Sequence, residues 1–432
     1  MATNMATDMA GMTKPTRGSN APKGYFESLR RPPIEWVIRG GALLALAWIG
    51  CVVVLQSWAT ALPSDQLVAA HRLAPRNARI AAALSEQLSG ANATAADRVH
   101  AASLAQDALQ RDPMVVEAVT TRGLDALLRH DETGARRLFA YSQLLSRRDL
   151  RTQLWAIEDA VSRGDVESAL KHYDIALRTK RDASLLLFPV LSEAVADPEV
   201  RSGLIRTLAS QPSWTSGFVD YVVGRGTDAQ AALALLEGLA RVQVPISEGV
   251  NAAIIRRLIA AGHLESAWRY YASIRKGADR RFGRDPRFTI ARDSPAPFDW
   301  MPTDDTGASV SIQPAKNGGI FDFATSPSFG GILLQQDQLL PAGRYAVAGH
   351  SIGIDQPDVS LPYWEVTCGD GRSLARSSIT RSSEGNGNFS GLVVVPEGCP
   401  SQTLSLVARP SNAIGGVQGQ IDYLALRPFA NQ

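Results

Sequence analysis

The hydrophobic and polar positions of this chain change rhythm three times. From Gly40 to Trp58 the run GGALLALAWIGCVVVLQSW is apolar throughout, and no charge occurs between Arg39 and Asp65. About 20 consecutive apolar residues are what a helix needs to cross the hydrocarbon core of a bilayer, so a transmembrane helix is predicted over 34–58. Apolar residues then recur at three- and four-residue steps, in Ala-, Leu- and Arg-rich sequence, from about Pro63 to Asp279. That spacing predicts amphipathic helices stacked on one another over 62–280. Near Gly283 alanine gives way to Gly, Pro, Ser and Asn, and short alternating runs begin. Candidate strands are Ser309–Ile312, Gly319–Phe323, Gly331–Gln335, Gly343–Ser351, Tyr363–Cys368, Gly391–Val395, Leu404–Ala408 and Gln420–Leu426. Turn signals such as Asn317-Gly318 and Gly369-Asp-Gly371 separate them, so 286–432 is predicted to be an antiparallel β-sandwich, jelly-roll-like in type. The predicted fold class is α+β multidomain: one transmembrane helix, an α-helical repeat array and a C-terminal sandwich. Residues 1–33 have no apolar periodicity and predict a disordered cytoplasmic tail.

The helical stretch repeats itself. Gly164-Asp-Val-Glu-Ser-Ala-Leu-Lys-His-Tyr173 aligns with Gly262-His-Leu-Glu-Ser-Ala-Trp-Arg-Tyr-Tyr271. A step of 34 residues back from Asp165, Ala169 and Tyr173 reaches Asp131, Ala135 and Phe139, and one more from Ala135 reaches Ala101. This pattern resembles the tetratricopeptide repeat, whose unit is a helical hairpin of that length. The resemblance implies that Ala101, Ala135, Ala169 and Ala267 lie where helices cross closely. It implies that Phe139, Tyr173 and Tyr271 fill the gap to the next hairpin, and that Gly164 and Gly262 make the turn. The chain departs from the pattern at His130, which replaces a turn glycine, and at Arg147 and Arg181, which stand where a closing proline is expected. Stacked units of this kind form a groove that docks peptides or partner domains.

Charge adds orientation more than function. The 44 basic and 42 acidic residues nearly cancel, so no strong field points to nucleic acid. Lys14, Arg17, Lys23, Arg30, Arg31 and Arg39 precede the apolar run, while Arg72, Arg76 and Arg79 follow it at a distance. By the positive-inside rule the N-terminus is cytoplasmic and the bulk faces the periplasm or the outside. Ala59-Thr60-Ala61 resembles a signal-peptide cleavage site, but the long leading segment and long apolar run favour an uncleaved anchor. Of three cysteines, Cys51 lies in the apolar run, and Cys368 and Cys399 come late without a C-x-x-C motif. They predict one disulfide in an oxidising compartment.

Motifs of catalysis are present only in outline. Gly349-His-Ser-Ile-Gly353 fits the G-x-S-x-G nucleophile elbow, which needs a helix behind the serine and a histidine later in the chain. The six histidines are His71, His100, His130, His172, His263 and His350, and none follows Ser351. The expected structure there is a strand end, with an envelope serine hydrolase at Ser351 as the remote alternative. Gly224-Arg-Gly226-Thr-Asp-Ala229 has the spacing of a dinucleotide-binding loop, but no alternation of strands and helices surrounds it. A turn between helices is expected instead, with Asp228 at the N-cap of the second. Scattered histidines and the absence of an H-E-x-x-H motif give no metal site, and the Asp304-Asp305 pair suits a solvated turn. No catalytic residue and no cofactor is expected. Sugar binding survives as a sharper alternative, because aromatic faces stack on sugar rings. Its candidates are Trp364, Tyr363, Trp300, Phe298 and Phe389. Trp364 leads, since Tyr363 beside it must face the other way, and Phe298 and Trp300 would share a face of a strand.

Three segments of the last third also form a motif string: Pro297-Phe-Asp-Trp300, Leu333-Leu-Gln-Gln336 and Leu339-Leu-Pro-Ala-Gly-Arg-Tyr345. Together they resemble the C-terminal domain of membrane-anchored repeat proteins from proteobacterial exopolysaccharide gene clusters. The resemblance implies a role in making or exporting surface polysaccharide. The expected protein is thus a non-enzymatic, membrane-anchored periplasmic scaffold. Envelope or polysaccharide-export proteins would bind its repeats, and a carbohydrate-binding sandwich is the alternative.

Overall fold

The structure, a computed structural model, describes residues 33–303 and 305–429. The tail expected over 1–33 lies outside them but for its last residue. Among the described residues fourteen α-helices precede ten strands, and the chain divides into two compact units, Met1–Leu145 and Ser146–Gln432.

The first unit holds α1 (Pro33–Ala61), α2 (Leu67–Leu73), α3 (Ala78–Leu88), α4 (Ala95–Arg111), α5 (Val116–Leu128) and α6 (Glu132–Leu145). Helix α1 is long and apolar enough to cross a membrane, and its apolar side chains are exposed along most of its length. Trp36 and Trp58 are both exposed near its two ends. At 1.5 Å per residue they stand roughly 33 Å apart, close to the height of a hydrocarbon core, where aromatic rings gather at the interfaces. Only Leu62 and Pro63 separate α1 from the next helical turn, Ser64–Gln66. Ala59 is buried in a small cluster with Ala70, Ala74 and Ile80, which joins the end of α1 to α2 and α3. Helices α3 and α4 pack as one pair, and α5 and α6 as another. Ala101, Ala135 and Phe139 are buried. A Cβ on Gly123 would meet the Phe139 ring at 3.0 Å, so this glycine lets α5 and α6 approach.

The second unit continues with α7 (Leu150–Ser162), α8 (Val166–Thr179), α9 (Ala183–Ala194), α10 (Pro198–Ala209), α11 (Thr215–Arg225), α12 (Ala229–Arg241), α13 (Glu248–Ala260) and α14 (Leu264–Ile274). Asp149, Asp165, Asp197, Asp228 and Ser247 accept backbone N–H bonds at the starts of α7, α8, α10, α12 and α13, as N-caps do. Helix α9 packs on α11 and α11 on α13, while α10 sits between α8 and α12. Ala169, Tyr173, Ala267 and Tyr271 are buried among them.

Four helix ends close in the same way. His130, Gly164, Gln243 and Gly262 take φ of 63°, 70°, 61° and 79°. The following N–H then reaches back, from Asp131 to Ala126, Asp165 to Ala160, Val244 to Leu239 and His263 to Leu258, at 2.8–3.0 Å. This is the Schellman closure, which needs one left-handed residue and satisfies a carbonyl the helix leaves free.

The ten strands are β1 (Met301–Pro302), β2 (Ala308–Ala315), β3 (Gly318–Thr325), β4 (Gly331–Gln338), β5 (Gly343–Ile352), β6 (Tyr363–Cys368), β7 (Ser373–Ser378), β8 (Asn388–Val395), β9 (Gln402–Ala408) and β10 (Gln418–Pro428). They form two antiparallel sheets, ordered β1-β4-β9-β6-β7 and β2-β3-β10-β5-β8. Removing the edge strands β1 and β2 leaves β4-β9-β6-β7 facing β3-β10-β5-β8. Numbered from β3, these read 2-7-4-5 and 1-8-3-6, the eight-strand jelly-roll order. Cys368 and Cys399 are joined by a disulfide at the margin of the core.

Sandwich and helices share a joint. Phe298 packs against Trp268 and Tyr271 of α14, at 5.2 and 5.1 Å between ring centroids. Trp300, two residues on, packs against Phe288 and Trp364 in the sandwich core. The expectation that both rings share one face of a strand is thus corrected: the chain turns here, β1 starts only at Met301, and the rings enter different cores. Between them the Asp299 carboxylate accepts the Tyr271 hydroxyl at 2.7 Å and the Ala296 N–H at 3.2 Å. It also lies 3.9 Å from Arg275 and 3.7 Å from Arg292, and both arginines reach Glu248.

Candidate functional site

The residues of the elbow motif lie inside β5. Ser351 is buried; its hydroxyl meets that of Ser382 at 3.1 Å and donates to the Gly387 carbonyl at 3.3 Å. A strand turns successive side chains to opposite faces, so His350 points outward, where its Nδ1 lies 2.6 Å from Asp422. No helix follows, and serine and imidazole sit on opposite sides of a sheet. Gly349 is needed for packing, because a Cβ there would meet the Phe389 ring at 2.2 Å and the Tyr423 carbonyl at 2.8 Å. The dinucleotide-like segment is helical from Thr215 to Arg225, and Asp228 caps α12. The Arg257 guanidinium fills this turn, donating to the carbonyls of Val222, Val223 and Gly226. Among the described residues no three His, Cys, Asp or Glu side chains are grouped to hold a metal ion.

The aromatic candidates for sugar stacking need correction. Trp364 is 1% exposed, and Trp300, Phe298 and Phe389 are buried with it. A ring enclosed in a core has no face to offer. Alternation in the sequence located the two sides of β6, but it did not say which side is inward. Tyr363 does face outward, yet guanidinium groups of Arg376 and Arg409 lie over its ring at 5.4 and 4.7 Å. The motif string around these residues has structural work to do. Trp300 Nε1 donates to the Asp285 carbonyl, buried Gln336 bonds both the N–H and the C=O of Arg284, and the Tyr345 hydroxyl donates to the Pro341 carbonyl.

A surface that sequence reasoning missed lies on α9. Its sequence, ASLLLFPVLSEA, is apolar on every side, as expected of a helix covered all round. Leu187, Phe188 and Leu191 are indeed buried, but Leu185, Leu186 and Val190 are 80%, 53% and 57% exposed. Its signal was the absence of a polar stripe, which periodicity alone reads as a core helix. Because α7 and α8 run antiparallel, the loops before α7 and α9 share one edge of the array. That edge carries Arg147, Arg148, Lys180 and Arg181, all exposed and none with a carboxylate in ion-pair range among the described residues. An apolar strip bounded at one end by exposed cations outside any ion pair can hold an apolar segment that carries acid at the matching end.

No protein-family model matches the chain, and no curated protein matches it. Solved structures that it resembles include the Glycosylation Associate Protein (Gap123) complex from Streptococcus agalactiae, at 13% identity over 31% of this chain and 44% of that one, with a TM-score of 0.21. The chain therefore spans less than half the length of that protein. Others are accessory secretory protein 1, 2 and 3 of Streptococcus pneumoniae (15% identity, 29% and 87% covered, TM-score 0.20) and PilW, a type IV pilus biogenesis factor (14%, 46% and 93%, TM-score 0.24). Similarity at this level does not bear on what the chain does.

Proposed function

We propose that this protein is a non-enzymatic scaffold anchored by α1 in a bacterial inner membrane, with its helical array and sandwich on the periplasmic side. It serves surface-polysaccharide assembly or export by holding protein partners on the array. The observation that carries the reading is the α9 strip of Leu185, Leu186 and Val190, left exposed on a helix with no polar face. The partner that fits is an apolar helix or extended segment with acidic residues at the end facing Lys180 and Arg181. The disulfide and the apolar α1 support the compartment. The polysaccharide context comes from the motif string in the last third of the sequence.

The test replaces Leu186→Glu and Val190→Glu together, at positions where more than half of each residue lies in solvent. Cells carrying the variant are expected to secrete less surface polysaccharide while keeping normal levels of the protein. Lys180→Glu with Arg181→Glu is expected to weaken the same partner's co-purification, and acid-to-lysine changes in that partner to restore it. Unchanged polysaccharide output in the α9 variant would overturn the reading.

A further inference from the structure

The outer face of the sheet β2-β3-β10-β5-β8 is open, and its register sorts it into two halves. Toward the start of β5, Ala346, Ala348, Leu392, Val394 and Ala425 give a shallow apolar strip, edged by exposed Arg344, Arg427 and Ser390. At the other end the strands bring together His350, Asp422, Tyr423, Asp322 and Gln420. A bulge creates this half. The pairing of β10 with β5 shifts between Ile421 and Tyr423, and Ile421 and Leu424 are both buried. Asp422 and Tyr423 therefore face outward side by side, which a regular strand cannot arrange. Bulges re-aim side chains in this way beside binding and active sites.

His350, Asp422, Asp322 and Gln420 are each fixed by one atom and leave another free. Asp422 holds His350 through Oδ1 and Nδ1 at 2.6 Å, and Gln420 Nε2 donates to Asp322 Oδ1 at 2.8 Å. The second carboxylate oxygens, Gln420 Oε1, His350 Nε2 and the Tyr423 hydroxyl have no hydrogen-bond partner among the described residues. Arg287 lies over the Tyr423 ring at 5.7 Å. Free acceptors beside groups that both donate and accept suit vicinal hydroxyls, each of which must give one hydrogen bond and take another. The neighbouring apolar strip suits the C–H face of a sugar ring.

We propose that this face, at His350, Asp422, Tyr423, Asp322 and Gln420, binds the hydroxyl groups of a polysaccharide. It is separate from α9 and from the buried aromatics first considered. The test is retention of the full chain, in detergent, on a printed array of bacterial surface glycans, followed by titration of the best-retained glycan. Asp422→Asn and His350→Ala are expected to weaken binding about tenfold each, and Tyr423→Phe to keep part of what Tyr423→Ala loses. Near-UV circular dichroism checks that each variant keeps its tertiary packing. No retained glycan, or retention unchanged in correctly folded Asp422→Asn and His350→Ala variants, overturns the proposal. Loss of glycan retention in the α9 variant alone would assign the binding to α9 and also overturn it.

Discussion

At the residue scale the clearest case is the left-handed turn. Gly164 and Gly262 were legible as turn residues because glycine announces the position. His130 was legible only through the repeat register, and Gln243 not at all, since nothing in its chemistry asks for positive φ. A side chain costs about 1 kcal/mol in that conformation. His130→Gly and Gln243→Gly are therefore each expected to stabilise the protein by about that amount, and Gly164→Ala to destabilise it similarly, in denaturant melts. Asp337 makes a second residue-scale prediction. Burial pushes its carboxyl above the usual range, with one opposing hydrogen bond from Thr403 at 2.9 Å. A carboxyl with a raised folded pKa favours the folded state at low pH, and that contribution falls as pH rises above the unfolded value near 4. Asp337→Asn should raise the melting temperature at pH 7, with the gain vanishing toward pH 4. An unchanged difference across that range would count against the assignment.

Elements were read with uneven success, for reasons visible in each. Eight strands were legible as short apolar or alternating runs bounded by turn residues. β7, Ser-Leu-Ala-Arg-Ser-Ser, was not, because an edge strand with one large apolar residue lacks that alternation. Helix α9 was placed within the array, but its exposed side could not be seen in an unbroken apolar run. The Phe298–Trp300 segment misled because two aromatics spaced by two look like a strand, whereas here they end one element and begin another. The Asp299 carboxylate between them neutralises a pair of arginines, of which Arg275 is 8% exposed. Removing one member of a buried charged network costs about 3 kcal/mol or more, because its partners stay buried. Asp299→Ala should lower stability by that order, whereas Asp370→Ala, at an exposed ion pair, should change it little. The joint also responds to acid. Hydrogen bonding to Arg275, then the charges of Arg275 and Arg292, hold the Glu248 carboxyl below its usual range. Its stabilising contribution is complete above the unfolded carboxyl pKa and is lost as pH falls through the lower folded value. Glu248→Gln should therefore flatten the loss of melting temperature below about pH 4.

For the whole molecule, the order of long apolar helix, helical array and sandwich was legible from composition and period alone. The grouping of those parts was not. The change from helix to strand near Gly283 looks like the natural boundary, yet one compact unit runs from Ser146 through it to the C-terminus. The reason is again local: a single residue separates two rings that belong to two cores. Composition reports where secondary structure changes, and only tertiary contacts report which parts pack together. Helix α1 has a consequence of the same kind. Only Leu62 and Pro63 lie beyond α1 before the next helical turn, and Ala59 is already packed on α2. With α1 in a bilayer, the first hairpins have no leash on which to wander. They stand on a short post, so the α3–α4 and α5–α6 pairs are held close to the membrane surface.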